Sequence, residues 1–366
     1  MLLSFAVKNY RGFAERIYWD LTSPGNYAFN TYAIKKGVVK NGIIYGPNGS
    51  GKSNFALALF DIENHLSQKW KKADYYVNFA TAGRESLPVE FEYRFRFGNE
   101  EVTYLYSKDK EGKLQSESLD VNGISIFHKD RENIMLGGEF PLDETAKENL
   151  RNSANNLSMV NFIAATYPLA KGHYILALKE FVDSMLWFKS LDKREFIGLE
   201  SNATFQEEEI IRMELVEDFR KFLQNVSSQD FEFIKPEKGD KTLNCRINGA
   251  SIPFAKIAST GTVSLQVLYI WLRKMDKASF VFIDEFDAFY HFRLSFEVCR
   301  QLFSHKAQLF LSSHNTYLMT NELLRPDCNF ILDHNVIKPL CDCTDKELRF
   351  GHNIEKLFRG NAFTAI

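Results

Sequence analysis

"NGIIYGPNGSGKSNFALALF", residues 41–60, decides the fold. It opens on a short apolar run of the kind that forms a buried central strand, turns through glycines, and ends in helix-forming residues. Its core, Gly46-Pro47-Asn48-Gly49-Ser50-Gly51-Lys52-Ser53, fits the phosphate-loop pattern at every fixed position. Glycines let backbone N–H groups turn toward phosphate oxygens, and the following helix points its positive end at the same place. Lys52 is expected to reach the β- and γ-phosphates of ATP, and the Ser53 hydroxyl to ligate Mg²⁺. Asn48, Gly49, Ser50, Gly51 and Asn54 complete the expected ATP contacts on this loop. A chance match in a glycine-rich turn is the alternative, and the place between a strand and a helix argues against it.

Outward from the loop, the periodicity predicts an α/β chain. "LLSFAVKN" alternates, and "RIYWDL" follows as a second strand. The helix after the phosphate loop is expected to run to "QKWKK", residues 68–72, whose positive charges suit a helix C-terminus. "VEFEYRFRF", residues 89–97, places Val89, Phe91, Tyr93, Phe95 and Phe97 on one face and charges on the other. With "EVTYLYS" across a Gly98-Asn99 turn it reads as a hairpin, and "QSESLDVNGISIF" adds strand to that sheet. From Leu142 to Asn225 the pattern reads as helical, including "ALKEFVDSMLWFKSL" and "EEEIIRMELVEDFRKFLQNV". "TLNCRINGASIPF" is a second hairpin about Asn248-Gly249. "SFVFIDEFD" and "AQLFLSSHN" are apolar strands with polar ends, the form of buried parallel strands with a site at their C-terminal edge. The expected division is an N-terminal lobe over 1–140, a helical insert over 141–230 and a C-terminal lobe over 231–366.

Composition bounds the function. The chain has 366 residues, 45% apolar and 25% charged, with a formal charge of −2. That is a globular composition, and it does not indicate a large nonspecific grip on nucleic acid or on an anionic membrane. No apolar run approaches the roughly 18 residues needed to span a bilayer. Met1 runs straight into a strand, so no secretory leader is expected. Five irregularly spaced cysteines fit reduced thiols in a cytoplasmic protein better than a disulfide framework. Cys328, His334, Cys341 and Cys343 match no standard zinc spacing, and ordinary thiols are the better reading.

Three further segments carry chemistry. In "FVFIDEFDAFYH", Asp284 ends an apolar run, where a carboxylate can hold Mg²⁺, and Glu285 can orient and deprotonate an attacking water. Acidic strand ends are common on solvated surfaces; the pair gains weight from the phosphate loop in the same chain. Asp287 and His291 follow in a turn that could contact another subunit. In "LFLSSHN", His314 ends the next apolar strand, where an imidazole can bond a γ-phosphate. In "IASTGTVSLQVLYIW", Ser259, Thr260, Gly261 and Thr262 precede an amphipathic helix. Such a start is an ordinary N-cap or an anion site, and a second anion site far along the chain suggests two half-sites that meet across a dimer.

The order phosphate loop, small-residue helix start, Asp-Glu strand, His strand resembles the ABC-type ATPases of the RecF/SMC/OLD-like branch. "SFAVKNYRGF" is similar to that branch's opening strand and turn, "ASTGT" stands in place of its signature loop, and "IDEFDAFYH" resembles its Walker B and D-loop. Among them the chain looks like the small bacterial AAA-family ATPases of phage-defence and abortive-infection operons, including RloA-like and AbiL-type proteins and the ATPases of Septu, PARIS and retron systems. The resemblance covers roughly residues 1–120 and 240–366. It implies a P-loop NTPase with an ABC-ATPase head: a mixed central sheet, an antiparallel β subdomain and a helical insert. It also implies that two protomers sandwich ATP, with Lys52, Ser53, Asp284, Glu285 and His314 of one facing Ser259 and Gly261 of the other. Arg11, in the opening turn, is carried over as a nucleotide contact. The residue matching the branch's Q-loop glutamine is not fixed; Gln115 and Asn161 are the candidates. Thr260 stands where a glycine is usual.

No TOPRIM-type nuclease segment, HNH cluster or second acidic constellation is read after His314. The leading expectation is therefore an ATPase that gates a separately encoded effector, a nuclease or toxin. A RecF-like DNA-repair ATPase is the second reading, with "QKWKK" and the "YRFRF" cations on phosphates, although a solvated face explains those charges more simply. A slowly hydrolysing, nucleotide-locked scaffold is the third.

Overall fold

The computed structural model describes residues 1–67, 75–130, 133–141, 143–152, 157–189, 196–198, 207–333 and 335–363. Among them are two seven-stranded sheets. The first is antiparallel throughout and runs Ile134–Leu136 (β10), Ile124–Lys129 (β9), Leu114–Val121 (β8), Glu100–Lys108 (β7), Val89–Phe97 (β6), Leu2–Lys8 (β1), Ile17–Asp20 (β2). The second runs Phe196–Gly198 (β12), Leu186–Lys189 (β11), Phe280–Asp284 (β15), Gln308–Ser312 (β16), Asn41–Tyr45 (β5), Asn329–Asp333 (β17), Val336–Pro339 (β18). Its five inner strands are parallel and its two edges antiparallel. Two small pairs complete the strands: Ile34–Lys35 (β3) with Val38–Val39 (β4), and Asn244–Ile247 (β13) with Ala250–Pro253 (β14). The helices are Lys52–Leu59 (α1), Asp61–Leu66 (α2), Glu144–Asn152 (α3), Met159–Thr166 (α4), Tyr174–Asp183 (α5), Glu207–Arg212 (α6), Val216–Ser227 (α7), Phe254–Ile257 (α8), Thr260–Met275 (α9), Phe292–Phe303 (α10) and Ile354–Arg359 (α11).

Helix α1 lies where the sheets meet. The Phe55 ring of α1 packs edge-on against Phe5 and Trp19, both at 5.5 Å between centroids. Trp19 in turn reaches Phe310 at 4.5 Å and Phe330 at 5.5 Å on the parallel sheet. All five side chains are buried. The alternation seen in β1 and β6 thus serves one purpose: it presents an apolar face to α1 and the second sheet. The opposite face of β6 is charge-balanced. Arg94 and Arg96 pair with Glu101 at 3.2 and 2.7 Å, Arg16 pairs with Glu92 at 2.7 Å, and Lys8 with Glu90 at 3.5 Å.

Three expectations need correction. The run "MLWFK" is not helix: α5 stops at Asp183, and Leu186–Lys189 enters the parallel sheet beside β15. A strand buried on both faces is a continuous apolar run, which periodicity alone cannot separate from a helix. The helix after the phosphate loop breaks at Phe60, whose φ of −91° and ψ of 2° step out of the helical range between α1 and α2. Its expected end at "QKWKK" lies outside the described residues. The helix over residues 207–226 is two helices, α6 and α7, parted where Glu214 takes a positive φ of 57°.

Candidate nucleotide site

The phosphate loop leaves β5, whose five residues are all buried, and turns into α1. Glycine is required at two points. A Cβ on Gly46 would sit 2.4 Å from the Leu332 carbonyl and 2.6 Å from Ser50 Oγ. Gly51 caps α1 with φ 96°, a backbone region that side chains rarely enter. Lys52 is buried, and its ammonium donates to the Gly46 carbonyl at 2.8 Å and the Pro47 carbonyl at 3.2 Å. Burial pushes its pKa down, and the charges of Asp284 and Glu285 oppose that shift. The buried Ser50 hydroxyl has no hydrogen-bond partner among the described residues. Asn48 is exposed on the loop.

Strands β15 and β16 lie in parallel register beside β5 in the order that sets their C-terminal ends around the loop. Asp284 ends β15, almost wholly buried. Burial pushes its carboxyl pKa up, while the hydroxyls of Ser312 and Ser53 pull it down. Its Oδ1 accepts from Ser312 Oγ at 2.5 Å, whereas its buried Oδ2 has no hydrogen-bond partner among the described residues. An orphaned, buried carboxylate oxygen beside the Ser53 hydroxyl is the hard-oxygen donor set that suits Mg²⁺. Glu285 adopts φ 48°; its N–H donates to Ser312 Oγ at 2.8 Å, and Lys189 Nζ stands 3.3 Å from its Oε2. Ser313 Oγ donates to Asp287 Oδ2 at 2.8 Å, fixing the following turn. The His314 pKa is lowered first by partial burial and then by the Lys52 charge, with Glu285, Asp284 and the Gly46 backbone acting in the opposite sense. The fold therefore brings Lys52, Ser53, Asp284, Glu285 and His314 together.

The remaining sequence candidates divide. Arg11 belongs to the neighbourhood: its Nη1 donates to Asn54 Oδ1 at 3.1 Å, and its guanidinium lies over the Tyr10 and Tyr75 rings. Arg11, Asn54, Tyr76, Phe79 and Lys110 line an open cleft of about 830 Å³. Ser259 and Gly261 keep other company. The Ser259 hydroxyl caps α9 by accepting from the Thr262 N–H at 3.2 Å, and Thr262 Oγ1 donates to Gln229 Oε1 at 3.1 Å. A Cβ on Gly261 would lie 3.2 Å from the Phe289 carbonyl, at the far end of the "DEFD" turn. Gln115 bonds Asp109 and Lys113, and Asn161 bonds Leu66 and Lys179, so neither side chain is committed to the loop. Cys328, Cys341 and Cys343 donate to Asp327, Asp342 and the Pro339 carbonyl; His334 lies outside the described residues. Among the described residues no cluster of three metal-ligating side chains forms.

Sequence reading missed two participants. Ser312 was only a small residue before a histidine, and its role depends on β15 and β16 being neighbours. Lys189 ends a strand read as helix, although "LWFK" has the same form as "VFID", an apolar run closed by a charged residue.

A protein-family model described as "AAA domain, putative AbiEii toxin, Type IV TA system" matches residues 43–320, from β5 past His314. The chain belongs to this AAA family. It is a P-loop ATPase of mixed α/β architecture. No curated protein matches this AAA-family chain. Solved structures similar to it include the SMC head domain from Thermotoga maritima, 16% identical with a TM-score of 0.43, covering 92% of this chain and 97% of that one. Another is an SMC head with an extended coiled coil bound to the C-terminal domain of ScpA, from Pyrococcus furiosus, at 14% identity, TM-score 0.46, and coverage of 92% and 95%. The recombination mediator RecF with ATP is 13% identical, TM-score 0.38, covering 93% of this chain and 99% of that one. Among the described residues of this AAA-family chain, no helix is long and apolar enough to cross a membrane.

Proposed function

We propose that this ATPase is a dimerisation switch: two copies close around ATP, open after hydrolysis, and thereby control a separately encoded nuclease or toxin in bacterial anti-phage defence. The observation that carries the reading is the split of the motifs. Lys52, Ser53, Asp284, Glu285 and His314 converge, while Ser259 stands exposed at the start of α9, bonded to its own cap. A site whose signature half faces outward is completed by a second copy. The family description, which names a type IV toxin–antitoxin system, supports the defence setting.

In this reading the backbone of residues 46–51 and Lys52 hold the phosphates, and Arg11 braces Asn54 beside the nucleotide. Asp284 Oδ2 and the Ser53 hydroxyl would hold Mg²⁺, which supplies charge neutralisation at the phosphates. Glu285 takes a proton from the attacking water, and His314 bonds the γ-phosphate. The DNA-repair alternative draws little from the first sheet, because its outer cations are paired with Glu90, Glu92 and Glu101.

Glu285→Gln tests the switch. With ATP and Mg²⁺ it is expected to accumulate as a dimer in size-exclusion chromatography with light scattering, whereas wild type returns to its starting mass as ATP is consumed. A variant that binds ATP and never changes mass would sink the proposal. Strong nuclease activity in the isolated chain would remove the separate effector.

A further inference from the structure

Glu285 carries its carboxylate on a left-handed backbone, φ 48°, which strains any residue with a side chain. Such a conformation persists only where neighbours impose it. The neighbour that takes its N–H is one hydroxyl. Ser312, with 0% of its surface exposed, accepts the Glu285 N–H at 2.8 Å and gives its own proton to Asp284 Oδ1 at 2.5 Å. The Phe286 N–H adds a long contact of 3.4 Å to the Ser312 carbonyl. The turn after β15 is therefore stitched to the last residue of β16.

We infer that Ser312 is a positioning residue for ATP hydrolysis. Its donated proton occupies Oδ1 of Asp284 and leaves the buried Oδ2 as the free oxygen of that carboxylate. Its accepted bond holds the backbone that aims Glu285. A hydroxyl does both because it is donor and acceptor at once. Alanine can do neither, and cysteine keeps the bulk while bonding weakly in both senses. The role rests on the proposed parts of Asp284 and Glu285, so the experiment keeps the two readings apart.

Ser312→Ala and Ser312→Cys are compared with wild type by steady-state ATP hydrolysis, by binding of a fluorescent non-hydrolysable ATP analogue across a Mg²⁺ titration, and by thermal unfolding. Cysteine is slightly larger and leaves no cavity, so it carries the test if the alanine variant unfolds. The expected result is a fall in kcat of about tenfold or more with KM for ATP changed less than about threefold. Analogue binding at saturating Mg²⁺ is expected to be preserved, with its midpoint moved to higher Mg²⁺. A folded variant with kcat within about twofold of wild type would overturn the inference, as would a kcat loss matched by an equal loss of analogue affinity. If Glu285→Gln and Asp284→Ala abolish hydrolysis while Ser312→Cys does not, the site stands and the positioning role alone fails. If neither of those abolishes hydrolysis, the site reading itself fails.

Discussion

Gln308 begins β16 with its side chain inside the protein, and it joins the two sheets. Its Oε1 accepts the Leu2 N–H, and its Nε2 donates to the Leu2 and Val39 carbonyls, all at 2.9 Å. A leucine there would keep the bulk and leave the Leu2 N–H and the two carbonyls without this partner. Gln308→Leu should therefore lower unfolding free energy by about 2–4 kcal/mol in urea, since each buried unpaired group costs about 1–3 kcal/mol. A loss below about 0.5 kcal/mol, the range of surface substitutions, would show that the first sheet does not need the staple. Residues of this kind explain what sequence reading reaches. Lys52, Asp284 and His314 were legible because loop pattern and strand ends carry them within a short window. Gln308, Ser312 and Lys189 act across strand neighbours far apart in the chain, and β16 pairs with both β15 and β5 only once the sheet exists.

Helix α2 shows the same limit for whole elements. It is short, and it is held by buried polar contacts rather than by a long apolar face. Asp61 accepts from Tyr75 at 2.9 Å, Tyr106 at 2.8 Å and Lys108 at 2.6 Å. His65 bonds Tyr104 at 2.8 Å and stacks on Tyr106, and Tyr104 donates to Glu117, which anchors the start of α4 through Ser158 and Met159. The antiparallel strands supplying most of these groups were readable from alternation; the partners that tyrosine and lysine find on α2 were not, because alternation records polarity and not partners. Burial, and then the charges of Lys108 and Lys129, depress the His65 pKa well below 6.5. The folded protein thus keeps His65 neutral while the unfolded chain takes up a proton below pH 6.5. Stability from this group is present above that pH and is lost as pH falls, by up to about 1.4 kcal/mol per pH unit. Denaturant titrations of wild type and His65→Gln between pH 7.5 and about 5.5 should converge as pH falls, the wild type losing its lead. Curves that stay parallel would show that His65 takes up its proton as readily in the folded protein as in the unfolded chain. Glu117, raised by burial, is present in both proteins, and glutamine at 65 keeps a hydrogen-bonding group beside the Tyr104 hydroxyl that donates to it.

At the scale of the molecule, the phosphate loop and the start of α9, the two halves of the proposed ATP site, sit on different parts of one chain. The loop lies between the sheets beside α1, and the exposed Ser259 opens α9 next to the "DEFD" turn. The motif order was legible because each motif is local, and so was the α/β class. The strand delivered by 186–189 was not, and it is this strand that sets Lys189 against Glu285. If two copies complete each other's site, damage to opposite halves must complement. A Lys52→Ala protomer keeps an intact Ser259, and a Ser259→Arg protomer keeps an intact phosphate loop. Each variant alone should hydrolyse ATP at background rate. In a random 1:1 mixture half the dimers pair one of each, and every such dimer has one whole site. Activity should recover to about a quarter of wild type when sites act independently, and less when both must be filled. A monomer that closes its own site predicts no recovery at any ratio. The same zero would follow if Ser259→Arg merely unfolded α9, so Ser259→Ala, which removes only the hydroxyl and its cap to Thr262, is run alongside by circular dichroism and in the same mixture. Recovery in either mixture that rises with the fraction of mixed dimers establishes the shared site, and two folded variants that neither complement nor form a mixed dimer with ATP exclude it.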